Sequence, residues 1–339
     1  MYLCTCFGKR GFNPLIEIKT VESKSIGLPN YHNMITTKLQ NTTYIKSPLN
    51  YIGGKQKILA QILPLFPAQI NQFVDLFAGG CNVGMNVKAE KLHFNDNLSF
   101  LIEMYKTFQN ENKESILAHI YAQITAFDLN LTNEDGYKAL RTHYNTYKNP
   151  LDLFVLIAFS FNHQIRFNNS HEYNNPFGRD RSSFNATMRQ NLERFLYKLT
   201  QIKAEFTCGN FDVFDFSGLT PNDFVYCDPP YLITTGTYND GKRGFTGWTA
   251  HEEQKLLHLL DNLNHKNIKF ALSNVIEHKG QSNDLLKNWL IQNPNYTTNY
   301  INMDYANSNY QTLVRDKNAS IEVLITNYTP NIQTKQTLF

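Results

Sequence analysis

Short apolar runs alternate with amphipathic stretches along most of this chain. The apolar runs predict buried strands at 73–76, 92–95, 205–212, 224–227, 268–274, 296–301 and 321–325. Apolar residues at helical spacing predict helices at 101–108, 116–127, 137–147, 151–161, 188–199, 251–263 and 285–291. The last two strands flank a polar loop at 302–319, so we expect them to pair as an antiparallel hairpin. Strands that alternate with helices predict an α/β fold whose sheet is mainly parallel.

The two ends of the chain lack this periodicity. Residues 1–43 are polar and irregular, which predicts a poorly ordered extension, and 329–339 has the character of a tail. Met34 lies shortly before the first organised stretch. Translation starting at Met34 is therefore a hypothesis, and N-terminal mass spectrometry of the native protein would test it.

The composition gives 42% hydrophobic and 18% charged residues among 339, enough for the core of one large or two modest domains. The net charge of +3 permits a polyanionic partner without requiring one. No apolar run approaches the roughly 18 residues of a membrane span, and the first residues lack the features of a signal peptide. Five cysteines without a C-x-x-C pair argue against structural zinc and a disulfide framework. We expect a cytoplasmic protein in which Cys81 and Cys227 are buried thiols.

One predicted strand is followed directly by Asp228-Pro229-Pro230-Tyr231. Open α/β sheets bind ligands at the carboxyl ends of their strands, so we expect Asp228 at a ligand-binding edge. The prolines lack N–H groups and have a fixed φ, which leaves rigid carbonyl groups that can accept hydrogen bonds. Two acceptors beside the flat ring of Tyr231 suit a planar base with an exocyclic amino group. An acidic strand end with an ordinary Pro-Pro turn is the alternative.

Two glycine turns lie near the start of the organised region. Gly53-Gly54 precedes Lys55 and a predicted amphipathic helix, although the spacing is not that of a Walker loop. The 73–84 stretch predicts a strand, a glycine turn and a helix whose N-terminus faces a bound cofactor. Asp96 lies 21 residues after Asp75. In nucleotide-binding folds an acid at about this spacing accepts hydrogen bonds from the ribose hydroxyls of the cofactor. NAD and S-adenosylmethionine both fit this pattern, and a plain βαβ unit is the alternative.

The segment 163–194 is rich in asparagine, arginine and aromatic residues. It contains five arginines, no lysine and three acids. Arginine and asparagine pair with guanine and adenine edges and also contact phosphates, so this segment is a candidate DNA-binding region. A polar surface insertion with turn-capping amides is the alternative. Further on, Phe211 and Asp212 end a strand where they could hold a purine ring, with a simple strand-end turn as the alternative. The 232–249 stretch is predicted to form a flexible hairpin or lid, with an ordinary loop as the alternative.

In this order, the motifs resemble those of the Dam-type family of N6-adenine DNA methyltransferases, over about 47–328. The 51–55 sequence is similar to that family's N-terminal cofactor motif. The 75–80 sequence resembles D-x-F-x-G-x-G, with Cys81 where the last glycine often lies. The sequences at 95–97 and 210–212 resemble its ribose-binding and adenine-contacting motifs, and 166–168 and 175–179 resemble its R-x-N and N-x-P-F-G motifs. Asp228-Pro229-Pro230-Tyr231 is similar to the catalytic motif and 322–328 to the closing strand.

The resemblance implies an α/β sheet of the S-adenosylmethionine-dependent methyltransferase (Rossmann-like) type, formed by 44–100 and 205–328. A mostly helical target-recognition domain is then inserted at 101–204. The implied reaction moves a methyl group from S-adenosylmethionine to N6 of a flipped-out adenine in double-stranded DNA, without a metal. The implied catalytic residues are Asp228, Pro229, Pro230 and Tyr231. The implied cofactor-binding residues are Tyr51, Gly53, Gly54, Lys55, Asp75, Phe77, Gly79, Asp96, Phe211, Asp212 and Asp228. The implied DNA-binding residues are Arg166, Asn168, Asn175, Arg179 and Arg181.

Other functions remain open on the sequence alone. One is an RNA or other amine methyltransferase with the same cofactor fold, and another is a non-catalytic DNA-binding relative. The resemblance favours adenine, since cytosine-N4 enzymes more often carry serine in place of Asp228. It also implies a restriction–modification system or an orphan methylase, with a separately acting restriction endonuclease as a candidate partner. The sequence does not define the oligomeric state or the DNA site, although 166–181 resembles the region of relatives that modify GATC.

Overall fold

The computed structural model describes residues 16–20, 33–37, 44–234, 248–302 and 320–331. The strands in these residues form one sheet. They are β1 (Ile16–Thr20), β2 (Asn33–Thr37), β3 (Gln72–Asp75), β4 (Lys91–Asp96), β5 (Ala204–Cys208), β6 (Phe224–Cys227), β7 (Lys269–His278), β8 (Gln281–Ser282), β9 (Thr297–Ile301) and β10 (Ser320–Thr326). The strand order is β1-β2-β9-β10-β7-β6-β3-β4-β5, and β8 pairs with β7.

The centre of the sheet is parallel and is buried on both faces. β7, β6, β3, β4 and β5 run parallel to one another. β10 is antiparallel to both β7 and β9, which confirms the predicted C-terminal hairpin. Neighbouring residues alternate between two cores, as Phe73 lies in one cluster and Val74 in the other, and Phe224 and Val225 divide in the same way. This double burial explains the nearly continuous apolar runs in the sequence and confirms the α/β class.

The seven helices predicted between 101 and 291 are confirmed, with ends that differ by a few residues. The helices of the described residues are α1 (Leu59–Ile62), α2 (Ser99–Asn110), α3 (Lys113–Ala126), α4 (Glu134–Tyr147), α5 (Pro150–Phe159), α6 (Ala186–Leu199), α7 (Ala250–His265) and α8 (Asp284–Gln292). Asparagine side chains accept a first-turn N–H at the start of α3, α4, α5, α6 and α8. Each therefore satisfies a backbone donor that the helix itself leaves unpaired.

The helices between β4 and β5 share a core with one face of the sheet. Tyr105 of α2 lies 5.5 Å from Phe206 of β5 and 5.7 Å from Phe195 of α6, measured between ring centroids. Nine of the ten residues of α5, Leu151 to Phe159, are buried. The opposite face of the sheet packs against α7 and α8. The inserted helices are thus joined to the sheet through a common hydrophobic core.

Two predicted helices are shorter than the sequence indicates. After the glycine turn that follows β3, a single 3₁₀ turn (Gly84–Asn86) ends at an extended Val87. The Asn86 side chain there accepts from the Ile45 N–H at 2.8 Å and donates to the Ile45 carbonyl at 2.8 Å, so it binds a neighbouring segment instead of capping a longer helix. The helix after Lys55 is broken into a 3₁₀ turn (Lys55–Ile58), α1 and a second 3₁₀ turn that contains Pro64.

The N-terminal segment also differs from the prediction. β1 and β2 lie within 1–43 and pair with each other, and β2 runs parallel to β9 at Asn33 and Met34. An open sheet edge can accept a strand through backbone hydrogen bonds alone, so no apolar periodicity is needed. The predicted lid lies largely outside the described residues, as do most of the 302–319 loop and of the tail. Among the described residues, no helix is both long and apolar enough to cross a membrane.

Candidate active site

Asp228 lies at the carboxyl edge of the sheet, as predicted. It follows β6, which is flanked by β3 and β7 in parallel and whose four residues are all buried. The Asp228 side chain is 17% exposed, so it is accessible from the edge of the sheet. Pro229 is buried and Pro230 is exposed. Tyr231 then begins a turn in which the Thr234 N–H donates to the Tyr231 carbonyl at 3.0 Å.

A lysine and a tyrosine hold the Asp228 carboxylate. Lys55 Nζ lies 2.8 Å from Asp228 Oδ1, and the Tyr231 hydroxyl donates to the same oxygen at 3.1 Å. Lys55 also donates to the carbonyl of Gly53 at 3.0 Å, which connects the Gly53-Gly54 turn to the carboxylate. Gly53 has a φ of +78°, a conformation that glycine adopts without strain. The family resemblance assigns Lys55 to the cofactor, whereas the structure pairs it with Asp228.

Burial and neighbouring charges act in opposite directions on the Asp228 carboxyl. Burial raises its pKa above the usual value, whereas the Lys55 ammonium and its hydrogen bond lower it. A second carboxylate, Glu322, raises it further. Lys55 thus opposes the effect of burial, since desolvation favours the neutral acid and a nearby cation favours the carboxylate.

Glu322 is a member of this site that the sequence analysis missed. Its Oε1 accepts a hydrogen bond from the Tyr231 hydroxyl at 3.0 Å and lies 3.8 Å from Lys55 Nζ. Only 2% of the residue is exposed, although it stands in β10 among apolar residues. An isolated acid within an apolar strand was the available signal, because burying a charge is costly unless it is paired.

The glycine turn after β3 is built against Tyr51 and Asp96. Gly79 has a φ of +46°, and a Cβ at this position would lie 2.8 Å from the Tyr51 ring. Its N–H donates to Asp96 Oδ2 at 2.9 Å, and the Tyr105 hydroxyl donates to its carbonyl at 2.8 Å. Asp96 Oδ1 accepts from the Leu98 N–H at 3.0 Å. The structure thus brings three predicted cofactor residues together, namely Tyr51, Gly79 and Asp96.

Asp75 supports the same turn from inside the protein. Its Oδ2 accepts from the Gly84 N–H at 3.2 Å, and the residue is 2% exposed. Burial raises the pKa of Asp75 to about 8, and Asp228 and Asp96 add to this rise. The structure places Asp75 beneath the turn, where it offers little surface to a ligand.

An aromatic wall lies beside the glycine turn. It consists of Phe77, Phe211 and Trp248, whose ring centroids are 5.4 to 5.7 Å apart. The Trp248 indole N–H donates to Glu253 Oε2 at 2.7 Å, and Glu253 Oε1 accepts from the side-chain amides of Asn274 and Asn283.

Phe77 and Phe211 of this wall were predicted, whereas Trp248 was not. It stands at the end of the stretch that the sequence analysis treats as a lid. The adjacent helix start at Thr249 and Glu252, a capping-box pattern, was the signal that this residue belongs to an ordered element.

Asp212 is directed differently from its neighbour Phe211. It accepts from the Asn210 side-chain amide at 2.7 Å and from Lys255 Nζ at 3.2 Å. The residue is exposed. Its predicted contact with the cofactor therefore requires an exchange of these partners.

The predicted DNA-binding residues divide into exposed arginines and structural asparagines. Arg166, Arg179 and Arg181 are exposed. The Arg181 guanidinium lies 5.0 Å from the centroid of the exposed Phe161 ring, and Arg179 donates to Glu134 at 3.0 Å. This group of cations and aromatic rings gives the segment a surface suited to nucleic acid.

Asn168 and Asn175 have internal partners. Asn168 Oδ1 accepts the N–H groups of Ser170 and Glu172, which closes a tight turn. Asn175 is 2% exposed, and its amide donates to the carbonyls of Phe161 and Gln164 at 3.0 Å each. The structure turns Asn175 inward, and its contact with DNA stays a prediction that would require these hydrogen bonds to be exchanged. Buried amides need hydrogen-bond partners, and Asn175 finds them in two backbone carbonyls of its own loop. The asparagine of the N-x-P-F-G motif therefore stabilises the shape of this loop.

The Asp-Pro-Pro-Tyr edge, the glycine turn and the sheet order are together those of a methyltransferase. A family model described as D12 class N6 adenine-specific DNA methyltransferase matches residues 51–329. This chain belongs to that family. The membership confirms the family resemblance and the methyltransferase type of fold expected from the sequence.

Curated relatives agree with the family assignment. The chain is 56% identical over 285 residues to the modification methylase StsI of Streptococcus sanguinis. The aligned region covers 84% of this chain and 43% of that protein. The chain is 50% identical over 292 residues to the type II methyltransferase M.FokI of Planomicrobium okeanokoites, covering 86% of this chain and 44% of the relative. A DNA adenine methylase of Haemophilus influenzae is 26% identical over 220 residues. The chain spans less than half the length of the first two relatives.

Proposed function

We propose that this chain transfers a methyl group from S-adenosylmethionine to N6 of an adenine in double-stranded DNA. The observation that carries the proposal is the Asp228 carboxylate, held by Lys55 and Tyr231 at the carboxyl edge of the central strand. The glycine turn at Gly79 follows the neighbouring strand β3, so both features lie at the same edge of the sheet. Family membership supports the same reaction.

The residues beside the turn fit a nucleoside cofactor. Phe77 is the partly exposed ring of the wall and suits an adenine ring, whereas Phe211 and Trp248 are buried and pack against it. The Asp96 carboxylate suits ribose hydroxyls. When bound, S-adenosylmethionine supplies a methyl group that its sulfonium has already activated. The protein then has to position the reactants and stabilise charge, which side chains can do without a metal.

Asp228 is assigned the central role in catalysis. An exocyclic amine is a weak nucleophile because its lone pair is delocalised into the ring. The Asp228 carboxylate and the Pro229 carbonyl would accept the amine hydrogens and direct the lone pair at the methyl group. Lys55 Nζ lies 4.9 Å from the Tyr231 ring centroid, so we assign the stacking of the flipped base to the opposite face of that ring.

Trp248→Ala is expected to weaken binding of S-adenosylmethionine about fivefold, since an aromatic packing partner contributes on the order of 1 kcal/mol. Trp248→Phe keeps a ring in the wall and should bind more tightly than the alanine variant. Isothermal titration calorimetry with the cofactor measures both. Unchanged affinity in a folded Trp248→Ala protein would contradict the assignment of the wall to the cofactor.

Arg166→Ala is expected to weaken binding to duplex DNA while leaving cofactor affinity unchanged, because Arg166 is exposed in the segment assigned to DNA. Loss of one phosphate contact should reduce the slope of log K against log salt concentration by about one. Fluorescence anisotropy with a labelled duplex at several salt concentrations measures this slope. The matched control is Lys113→Ala at the start of α3, which removes an exposed charge outside the segment. An effect on the cofactor alone would place Arg166 elsewhere.

The reaction itself is tested with labelled S-adenosylmethionine and unmethylated bacterial genomic DNA, followed by long-read sequencing. N6-methyladenine at one recurring short motif is the expected result, and it would also reveal whether that motif is GATC. The names of the relatives support a role in restriction–modification, and we infer a separately acting endonuclease as partner. Methylation of tRNA with no signal on DNA would favour the RNA alternative. Failure to bind the cofactor would favour a non-catalytic DNA-binding protein.

A further inference from the structure

Glu322 is a buried carboxylate to which the proposed mechanism gives no task. It lies on β10, two strands away from β6 and 91 positions after Tyr231 in the chain. The pairing of β10 with β7 shifts register between Ile321 and Glu322, which marks a β-bulge. Bulges redirect side chains and occur often beside active sites. A local irregularity thus coincides with an acid that reaches the catalytic motif.

The two carboxylates at this site compete for the same donors. Tyr231 has one hydroxyl hydrogen, yet its oxygen lies 3.1 Å from Asp228 Oδ1 and 3.0 Å from Glu322 Oε1. Lys55 Nζ likewise lies 2.8 Å from Asp228 Oδ1 and 3.8 Å from Glu322 Oε1. A carboxylate oxygen that already accepts two strong hydrogen bonds is a weaker acceptor for a third. Asp228 Oδ1 therefore already accepts from Lys55 and Tyr231 before a substrate amine arrives.

We propose that Glu322 is a positioning residue for methyl transfer: it takes over the hydrogen bond of Tyr231 when the target amine reaches Asp228, while Lys55 stays beside both carboxylates. Asp228 can then accept the amine hydrogens while the hydroxyl and the ammonium remain paired. The exchange requires small movements, because both donors already lie within 4 Å of Glu322 Oε1. This inference rests on the proposed methyl transfer and names a further residue for it.

The burial of the site makes a second acceptor valuable. The side chains of Lys55 and Glu322 are 3% and 1% exposed, so water cannot easily replace a lost partner. A buried donor that moves away from its acceptor raises the free energy unless a second acceptor lies close by. Glu322 Oε1 lies 3.0 Å from the Tyr231 hydroxyl oxygen and offers that acceptor when Tyr231 turns away from Asp228.

Glu322→Gln tests the proposal by removing the charge while keeping the size of the side chain. We expect the single-turnover rate of methylation to fall on the order of 10- to 100-fold, because a neutral glutamine accepts a weaker hydrogen bond than a carboxylate does. The dissociation constants of S-adenosylmethionine and of a duplex should each change by less than about twofold, since Glu322 is not assigned to either. The matched control is Glu277→Gln on β7, which loses a partly exposed ion pair with Lys287 and should retain the wild-type rate.

A double-mutant cycle separates positioning from a general effect on folding. Glu322→Leu removes both acceptor oxygens with a side chain that suits the apolar surroundings, and it serves also if Glu322→Gln does not fold. If Glu322 acts through the Tyr231 hydroxyl, Glu322→Leu should slow the Tyr231→Phe protein far less than it slows the wild type. Equal losses in both backgrounds, or a wild-type rate in the Glu322 variants, would overturn this inference alone. Absence of methyl transfer by the wild type would overturn the proposed function first.

Discussion

Asp228→Ala should reduce methyl transfer by about a thousandfold or more, because it removes the acceptor that orients the amine and stabilises its developing charge. Cofactor affinity should change by less than about threefold, since the aromatic wall and the Gly79 turn do not depend on Asp228 for their contacts. Asp228→Asn should be similarly inactive, since its amide replaces one acceptor oxygen with a donor. Single-turnover methylation of a duplex and calorimetry with S-adenosylmethionine measure the two quantities.

The control for this loss is Asp284→Ala, which removes an exposed acid from the first turn of α8. It should retain the wild-type rate and lose at most about 1 kcal/mol of stability through the helix dipole. Circular dichroism of the Asp228 variants is also required, because the loss of Asp228 leaves Lys55 with its cation 3.8 Å from Glu322. A folded Asp228→Ala protein that methylates near the wild-type rate would refute the proposed mechanism.

The part of the site that could be predicted from sequence consists of strand ends and the turns that follow them. The parallel strands are buried on both faces and are nearly continuous apolar runs, so their ends at Asp75, Asp96 and Asp228 stand out. Parallel strands place these ends at one edge of the sheet, which is why local patterns gave the correct location. The glycine turn was recognised because a φ of +46° at Gly79 requires a residue type visible in the sequence.

The contacts between distant segments could not be predicted. Lys55 reaches Asp228 and Tyr231 reaches Glu322 only through the pairing of strands far apart in the chain. The bulge before Glu322 depends on the register of β10 against β7, and no local pattern encodes it. Trp248 was missed because its partner Glu253 is an acid that the helical pattern places among ordinary polar residues.

The asparagines show the limit of reading function from residue type. Asparagine is suited both to adenine edges and to turns, and the choice depends on burial. At Asn175 two backbone carbonyls take the amide, so the loop uses this residue to hold its own shape. The exposed arginines nearby lie on the loop that Asn175 stabilises. The segment therefore contains buried residues that support the loop and exposed residues that are accessible to a ligand.

Lys55→Met is the second large effect that we expect, because it removes the cation that lowers the pKa of Asp228. Breaking a buried pair costs about 3–5 kcal/mol, and the 17% exposure of Asp228 places the loss toward the lower end. Lys55 lowers the pKa of Asp228 against the effect of burial, so this pKa should rise in the variant. Methylation should then be nearly absent near neutral pH. It should recover in part as the pH increases and Asp228 ionises.

The stability of the Lys55→Met protein should change with pH in the opposite direction. An acid whose folded-state pKa lies above its unfolded value binds more protons in the folded state, so stability falls as the pH rises between the two values. The groups that act on the Asp228 carboxyl in the described residues, besides Lys55, are Glu322, Tyr231, Asp75, Tyr51, Tyr226 and Cys227. Thermal unfolding and single-turnover rates across a pH series measure both trends. Lys57→Met, an exposed change in the same 3₁₀ turn, should show neither. A Lys55→Met protein with a wild-type pH profile would show that Asp228 does not need this cation.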